Sequence, residues 1–229
     1  IGDLDRDGQP DLVAVSDGIS STVRLWRNPG AAFDTDWVES TDLLGTDTLP
    51  LSSGQRLVVA DLDGDARLDV VLGSAAGGVY AWRNPGTMPF SGGWGDGLLL
   101  SSVSGDLHSL IDVDLNNDTT SELVGVVTST PSQVVAWESA EEPFETDWTT
   151  HLIGMDANSM LDVRAADLDN DGDPDIVTSG RGGIQAWPNQ LTPWTVGFRS
   201  NGHSVGTNDI WTGALVVGDL DGDGDPDLV

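Results

Sequence analysis

Short apolar runs, four to seven residues long and separated by clusters of Gly, Pro, Asn and Asp, recur along the whole chain. They are clearest at residues 56–60 (RLVVA), 68–73 (LDVVLG), 78–83 (GVYAWR) and 97–102 (GLLLSS). β-Branched and aromatic residues at this length, bounded by turn formers, predict strands, and four in a row predict one antiparallel unit. Equivalent runs fall at 11–16, 22–27 and 37–43, then at 107–113, 122–128, 133–138 and 149–153. A fourth set lies at 161–166, 175–179, 183–187 and 195–199, and residues 214–217 open a further unit. The first unit is short of its leading strand, which is reduced to residues 1–2. Apolar spacing of the helical kind is nearly absent. The pattern predicts an all-β chain of four-stranded antiparallel sheets repeated radially, as the blades of a propeller.

One acidic stretch interrupts each period at the same place, between its first strand and its second. It reads DLDRDGQPD at 3–11, DLDGDARLD at 61–69, DLNNDTTSE at 114–122, DLDNDGDPD at 167–175 and DLDGDGDPD at 219–227. The first residues lie 58, 53, 53 and 52 positions apart. A period of this size marks a repeat architecture, in which one small unit recurs and buries its faces against its neighbours. One domain, 1–229, is expected, with repeats at roughly 1–53, 54–106, 107–159, 160–212 and a partial 213–229. Residues 1–13 and 217–229 stand in the same phase. About four blades are therefore present, as an excerpt of a larger array.

Oxygen ligands at loop positions 1, 3 and 5, a backbone carbonyl at 7 and a carboxylate at 9 suit a hard cation as the chain turns around it. Calcium takes roughly six to eight oxygens in a forgiving geometry. Magnesium keeps a tight octahedron, and zinc asks for Cys or His, which these loops lack. The first candidate cage is Asp3, Asp5, Asp7 and Asp11 with the Gln9 carbonyl; the second is Asp61, Asp63, Asp65 and Asp69 with the Arg67 carbonyl. The third is Asp114, Asn116, Asp118 and Glu122 with the Thr120 carbonyl. The fourth is Asp167, Asp169, Asp171 and Asp175 with the Asp173 carbonyl, and the fifth Asp219, Asp221, Asp223 and Asp227 with that of Asp225. Up to five calcium ions are expected. At position 6, Gly8, Gly172 and Gly224 suit the positive φ of a sharp turn. Ala66 and Thr119 stand there in the second and third loops, which are the weaker sites. Two carboxylates about 4 Å apart repel by about 4 kcal/mol at an effective dielectric of about 20, so four should converge only around a cation.

Charge narrows the partners. Acidic residues number 38 against 9 basic ones, for a net charge of −29, and 21 of the acids lie in the five loops. Five calcium ions would still leave about −19, a surface that repels nucleic acid and anionic membranes. The absence of cysteine excludes a disulfide framework. No apolar run reaches the roughly 18 residues of a membrane span.

The tryptophans keep the same period. Trp26, Trp82, Trp137 and Trp187 each lie 20 to 23 residues beyond the first Asp of their loop, and are expected to fill the gaps between neighbouring sheets. Trp37, Trp94, Trp148 and Trp194 follow 7 to 12 residues later and suit either core packing or stacking on sugar rings. Trp211 belongs to neither set and is the aromatic most open to a ligand role. Asn28-Pro29-Gly30 and Asn84-Pro85-Gly86 read as type II turns.

The stretch 217–229 (VGDLDGDGDPDLV) resembles the FG-GAP/VCBS repeat family, and the repeat covers essentially the whole chain. The resemblance implies four-stranded blades, typically seven in a closed propeller, with calcium held between the first two strands of a blade. Relatives include the propeller of integrin alpha chains, fungal lectins, bacterial surface proteins and some polysaccharide-active enzymes. The third loop departs from the family pattern at Asn116, Thr119, Thr120 and Glu122.

Function is expected to be extracellular or cell-surface adhesion or recognition of a glycan or protein, with calcium structural and self-association possible through exposed strand edges. Two alternatives stand beside this: a structural subunit of a surface layer or filament, and the scaffold of a secreted polysaccharide-active enzyme. No catalytic residue is nominated. His108, His151 and His203 do not recur in phase, and Asp112 and Asp162 on the first strands suit either chemistry or a solvated channel.

Overall fold

The computed structural model describes residues 1–16, 22–31, 34–41, 44–45, 56–74, 76–86, 88–145, 147–190, 193–194, 198, 202–206 and 214–229. Five antiparallel sheets follow one another along these residues. The first holds β1 (Leu12–Val15), β2 (Val23–Arg27) and β3 (Val38–Glu39). The second holds β4 (Arg56–Ala60), β5 (Asp69–Gly73), β6 (Gly78–Trp82) and β7 (Leu98–Ser102). The third holds β8 (Asp106–Val113), β9 (Glu122–Thr128), β10 (Ser132–Glu138) and β11 (Thr149–Asp156). The fourth holds β12 (Met160–Ala166), β13 (Asp175–Gly180), β14 (Gly183–Trp187) and β15 (His203–Gly206). The fifth pairs only β16 (Val217–Gly218) with β17 (Asp227–Leu228). In each four-stranded sheet the strands lie in chain order, and no helix occurs among the described residues.

The apolar runs therefore became strands, with their ends displaced by one to three residues except at two places. In the first unit the outer strand is only Val38–Glu39 rather than 37–43, of which residues 42–43 lie outside the described set. In the fourth unit the outer strand is His203–Gly206, and of the expected 195–199 all but Phe198 lie outside the described residues. Trp194 and Phe198 pack on the cluster between the third and fourth sheets.

Packing is face to face. β5, β6 and β13 are buried at every position, because both faces of these inner strands meet neighbouring sheets. Three apolar clusters fill the spaces. Leu4, Val23 and Leu25 meet Val70, Leu72 and Trp82 between the first two sheets. Leu62, Val71 and Leu100 meet Leu107, Leu123 and Trp137 between the next two. Leu115, Val124 and Val126 meet Ile176 and Trp187 between the third and fourth. Glycine permits the closest approach: a Cβ on Gly97 would stand 2.6 Å from the Trp82 ring. The first strands β4, β8, β12 and β16 lie side by side from sheet to sheet, so one edge of each of the second to fifth sheets faces a common line.

Candidate metal centres

Four of the acidic loops hang between the first two strands of their sheets, the first is closed by a Gly2–Asp11 bridge just before β1, and all five share the same hydrogen bonds. The position-1 carboxylate accepts two successive amides: Asp3 takes those of Asp7 (3.1 Å) and Gly8 (2.8 Å), and Asp61 those of Asp65 (3.1 Å) and Ala66 (2.8 Å). Asp114, Asp167 and Asp219 repeat the pattern. The position-9 carboxylate reaches back to the amide at position 2, from Leu4 to Asp11 (2.9 Å), Leu62 to Asp69 (3.1 Å), Leu115 to Glu122 (2.8 Å), Leu168 to Asp175 (3.0 Å) and Leu220 to Asp227 (2.9 Å). Position 6 takes positive φ throughout, at Gly8 (85°), Ala66 (65°), Thr119 (76°), Gly172 (96°) and Gly224 (96°). Position 4 does so as well, at Arg6, Gly64, Asn117, Asn170 and Gly222.

This folding brings positions 1, 3 and 9 together. One carboxylate oxygen from each of Asp3, Asp5 and Asp11 lies within 4.8 Å of the others, as do those of Asp61, Asp63 and Asp69, of Asp167, Asp169 and Asp175, and of Asp219, Asp221 and Asp227. Position 5 is held apart from these trios. Asp7, Asp65, Asp118, Asp171 and Asp223 each accept the position-7 amide of their own loop, at 2.8 to 3.0 Å. The side chain of Asp173 accepts Asn117 Nδ2 from the preceding loop (2.6 Å), and Asp225 accepts Asn170 Nδ2 (2.8 Å), so consecutive loops are tied together.

The third loop has no carboxylate trio. Asn116 stands at position 3 and donates to Asp118 (3.0 Å), while Thr120, bonded through its hydroxyl and amide, holds the Asp118 carboxyl below its ordinary value.

Electrostatics fit a cation. Burial pushes the closing carboxyls of Asp69 and Glu122 up to about 7, against the opposing pull of backbone amides, and raises those of Asp11 and Asp175. Neighbouring loop carboxylates add to each rise. Buried Asp5 Oδ1 and Glu122 Oε1 have no hydrogen-bond partner, the condition a bound metal relieves. Arginines already lean on two loops from outside: Arg27 on Asp5 (2.5 Å) and Asp7 (2.8 Å), and Arg83 on Asp63 (2.5 Å). The third loop has Glu138 at the equivalent place, and it adds repulsion at Glu122.

Two functional positions escaped the sequence reading. The first is the leucine at position 2: Leu4, Leu62 and Leu115 are 0–1% exposed and enter the core of the next sheet. Its signal was an apolar residue in the same place within all five acidic loops. The second is the asparagine two places after Trp26, Trp82 and Trp187, which does more than turn. The amides of Asn28, Asn84 and Asn189 donate to Asp11, Asp69 and Asp175 at 2.7 to 2.8 Å. Asn84 Nδ2 also donates to the carbonyls of Leu68 and, one loop back, Leu4 (both 3.0 Å). Asn189 Nδ2 does the same to Pro174 (3.1 Å) and Leu115 (2.8 Å). Ser139 stands at this place in the third unit, so the side-chain bridge is lost there, and Glu122 Oε1 has no hydrogen-bond partner.

The remaining candidates separate. Trp82, Trp137 and Trp187 are fully buried, and so nearly are Trp94 and Trp148, whose indoles donate to the carbonyls of Pro89 (2.7 Å) and Pro143 (2.9 Å). Trp26 and Trp37 are half-buried, and Trp194 stacks on His151 at 4.0 Å. Trp211 lies outside the described residues. Asp162 is no free channel acid: it accepts Ser109 Oγ (2.7 Å), Arg164 Nη1 (2.8 Å) and the Leu215 amide (3.0 Å). Asp112 opens on the cleft beside the first strands, where its surroundings raise its carboxyl.

The FG-GAP-like repeat model matches residues 3–72 and 114–178, which is more than half of the chain and takes in four of the five loops entirely, all but that at 219–227. Among solved structures, a lectin from Agrocybe aegerita, described with the structural basis of its recognition of non-reducing terminal N-acetylglucosamine, has the same fold at a TM-score of 0.65 and 19% identity. The likeness covers 99% of this chain and 58% of the lectin, so the chain spans little more than half of that protein. The Tc holotoxin pore of Photorhabdus luminescens is similar at a TM-score of 0.47 and 16% identity, over 81% of this chain and 9% of that one. No curated protein matches the chain.

Proposed function

The chain belongs to the FG-GAP-like repeat family, and from that premise we propose a calcium-braced, propeller-like recognition module that works outside the cell on a glycan or protein ligand. The observation that carries the reading is the fourfold recurrence of three carboxylates within 4.8 Å of one another, at positions 1, 3 and 9. Such a grouping is unfavourable without a cation, and oxygen-only donors of this number suit calcium. Positions 1, 3 and 9 would hold it, completed by the position-5 carboxylate and the position-7 carbonyl. Bound calcium supplies the positive charge that lets the closing carboxylates ionise inside the core. Calcium sites of extracellular modules work at roughly 10⁻⁴–10⁻³ M, which supports placing this one outside the cell.

The sheets are read as consecutive blades, each with its first strand innermost; the side-by-side β4, β8, β12 and β16 support this. With the hairpins fixed by metal at one end, the loops at the other are left to meet a ligand. A glycan is favoured because the lectin of like fold is described as a sugar binder, although that description belongs to the lectin. Catalysis finds less support, since Asp162 is fully engaged in structure. A glycan array probed in calcium and again in chelator tests the proposal. Binding that needs calcium is expected; equal binding in both, or none to any glycan or matrix protein, overturns it.

A further inference from the structure

The first strands form a cleft that the metal loops do not use. Its polar lobe, about 340 Å³, is lined by Arg56, His108, Asp162 and Arg164 above Leu57 and Leu110. An adjoining lobe of about 480 Å³ shares Leu57, Leu110 and Arg164 and runs on to Asp112. Both neighbouring strands bulge at the polar lobe. His108 is an extra residue in β8, between Leu107 and Ser109, and Leu161 an extra residue in β12, between Met160 and Asp162. A bulge gives up regular pairing to re-aim a side chain, and bulges gather beside functional sites.

The arginines make the lobe distinctive. Arg24, Arg27, Arg67, Arg83 and Arg164 all pair with carboxylates. Among the described residues the guanidinium of Arg56 pairs with none, in a chain that carries 38 carboxylates, and it is half-buried. Arg6 has no carboxylate partner among the described residues either, but it is exposed on the first loop. Asp162 shares the wall with Arg56, yet its oxygens are taken by Ser109, Arg164 and Leu215. Asp106 lies near enough to raise the proton affinity of His108, but burial and the positive charge of Arg56 outweigh it. A half-buried guanidinium with no carboxylate on it among the described residues is open to an anion, and its fork matches a planar carboxylate.

We propose that this cleft binds an acidic sugar, its carboxylate on Arg56 and its ring against Leu57 and Leu110. The inference rests on the recognition reading above and names the ligand class for it. Ser109 and His108 border the lobe with groups that suit sugar hydroxyls. The protein's net negative charge does not forbid an anion here. At about 0.15 M salt, charges more than about 8 Å away are largely screened, whereas Arg56 is in direct reach.

The test titrates glucuronate into the calcium-loaded chain by calorimetry, with glucose and acetate as comparisons. Glucuronate is expected to bind at least about tenfold more tightly than either, since each comparison lacks one of the two contacts. R56Q is expected to weaken glucuronate by about tenfold or more, with calcium stoichiometry and thermal midpoint unchanged, and R6Q to leave it alone. Glucuronate binding untouched by R56Q overturns the proposal, and acetate binding as tightly as glucuronate overturns its sugar half. Neutral glycans captured on an array without any glucuronate binding remove this inference alone. Failure of every glycan and protein ligand removes the recognition reading with it.

Discussion

Ser109 Oγ donates to Asp162 Oδ1 at 2.7 Å across two sheets, between residues one repeat apart. The other oxygen of Asp162 takes the Leu215 amide, a further repeat along, so one carboxylate joins three consecutive units. Asp162→Ala leaves the Ser109 hydroxyl proton and the Leu215 amide without their acceptor in a buried place. It should cost about 2–3 kcal/mol, lowering the thermal midpoint by roughly 4–10 °C. Asp112→Asn, which breaks no such bond, should shift the midpoint by less than about 2 °C. Differential scanning calorimetry of the two variants checks both.

The asparagine bridges between neighbouring loops predict a second stability effect. Asn84→Ala strands the carbonyls of Leu4 and Leu68, and Asn189→Ala those of Leu115 and Pro174. Each should destabilise by about 2–3 kcal/mol in urea unfolding, well above a surface asparagine. An effect under about 0.5 kcal/mol would mean that the bridges contribute nothing net.

Metal removal should be costly. For a Kd near 10⁻⁴ M at about 1 mM calcium, each filled loop adds about 1.4 kcal/mol, so chelation should lower the midpoint by several degrees or more. Asp61→Asn should remove one equivalent from the calcium stoichiometry, whereas Asp114→Asn, in the loop without a carboxylate trio, should change it least. Calorimetric titration reads the stoichiometry.

In chelator the pH dependence should run opposite to that of a salt-bridged protein. Burial raises Asp69 and Glu122 to about 7 from ordinary values of 3.8 and 4.5. Between about pH 4 and pH 7 the native chain holds more protons than the unfolded chain. Their contribution is therefore complete below about pH 4 and is lost as pH rises through about 7. Denaturant midpoints in EDTA should fall from pH 5 to pH 8, and saturating calcium should flatten or reverse the slope. A midpoint that climbs over this range in EDTA would contradict the burial of these carboxyls.

Thr119 holds a φ of 76° where three of the loops use glycine. A β-branched residue is poorly suited to that region, so Thr119→Gly should stabilise by about 1 kcal/mol, and Ala66→Gly by about half as much. Unfolding curves that show either change to be destabilising would remove the strain argument.

The period, the strands and the acidic loops were legible because each rests on local chemistry: β-branched runs, turn residues, and aspartates at alternate positions. Glycine at position 6 announced its positive φ, and Ala66 and Thr119 took the same conformation when glycine was absent. The bond from Asn84 to Leu4 was not legible, since it joins residues 80 apart and needs the sheets already stacked. The same holds for Asp162, which reads as a lone acid on a strand until Ser109 and Leu215 arrive from neighbouring repeats.

The ties from Asn117 to Asp173 and from Asn170 to Asp225 gather the loop ends of the last three sheets along one rim. The Asp162 bonds to Ser109 and Leu215 pin the same three sheets near the opposite end of their first strands. A guest between these sheets therefore meets a frame clamped at both ends, whose shape is set before it arrives.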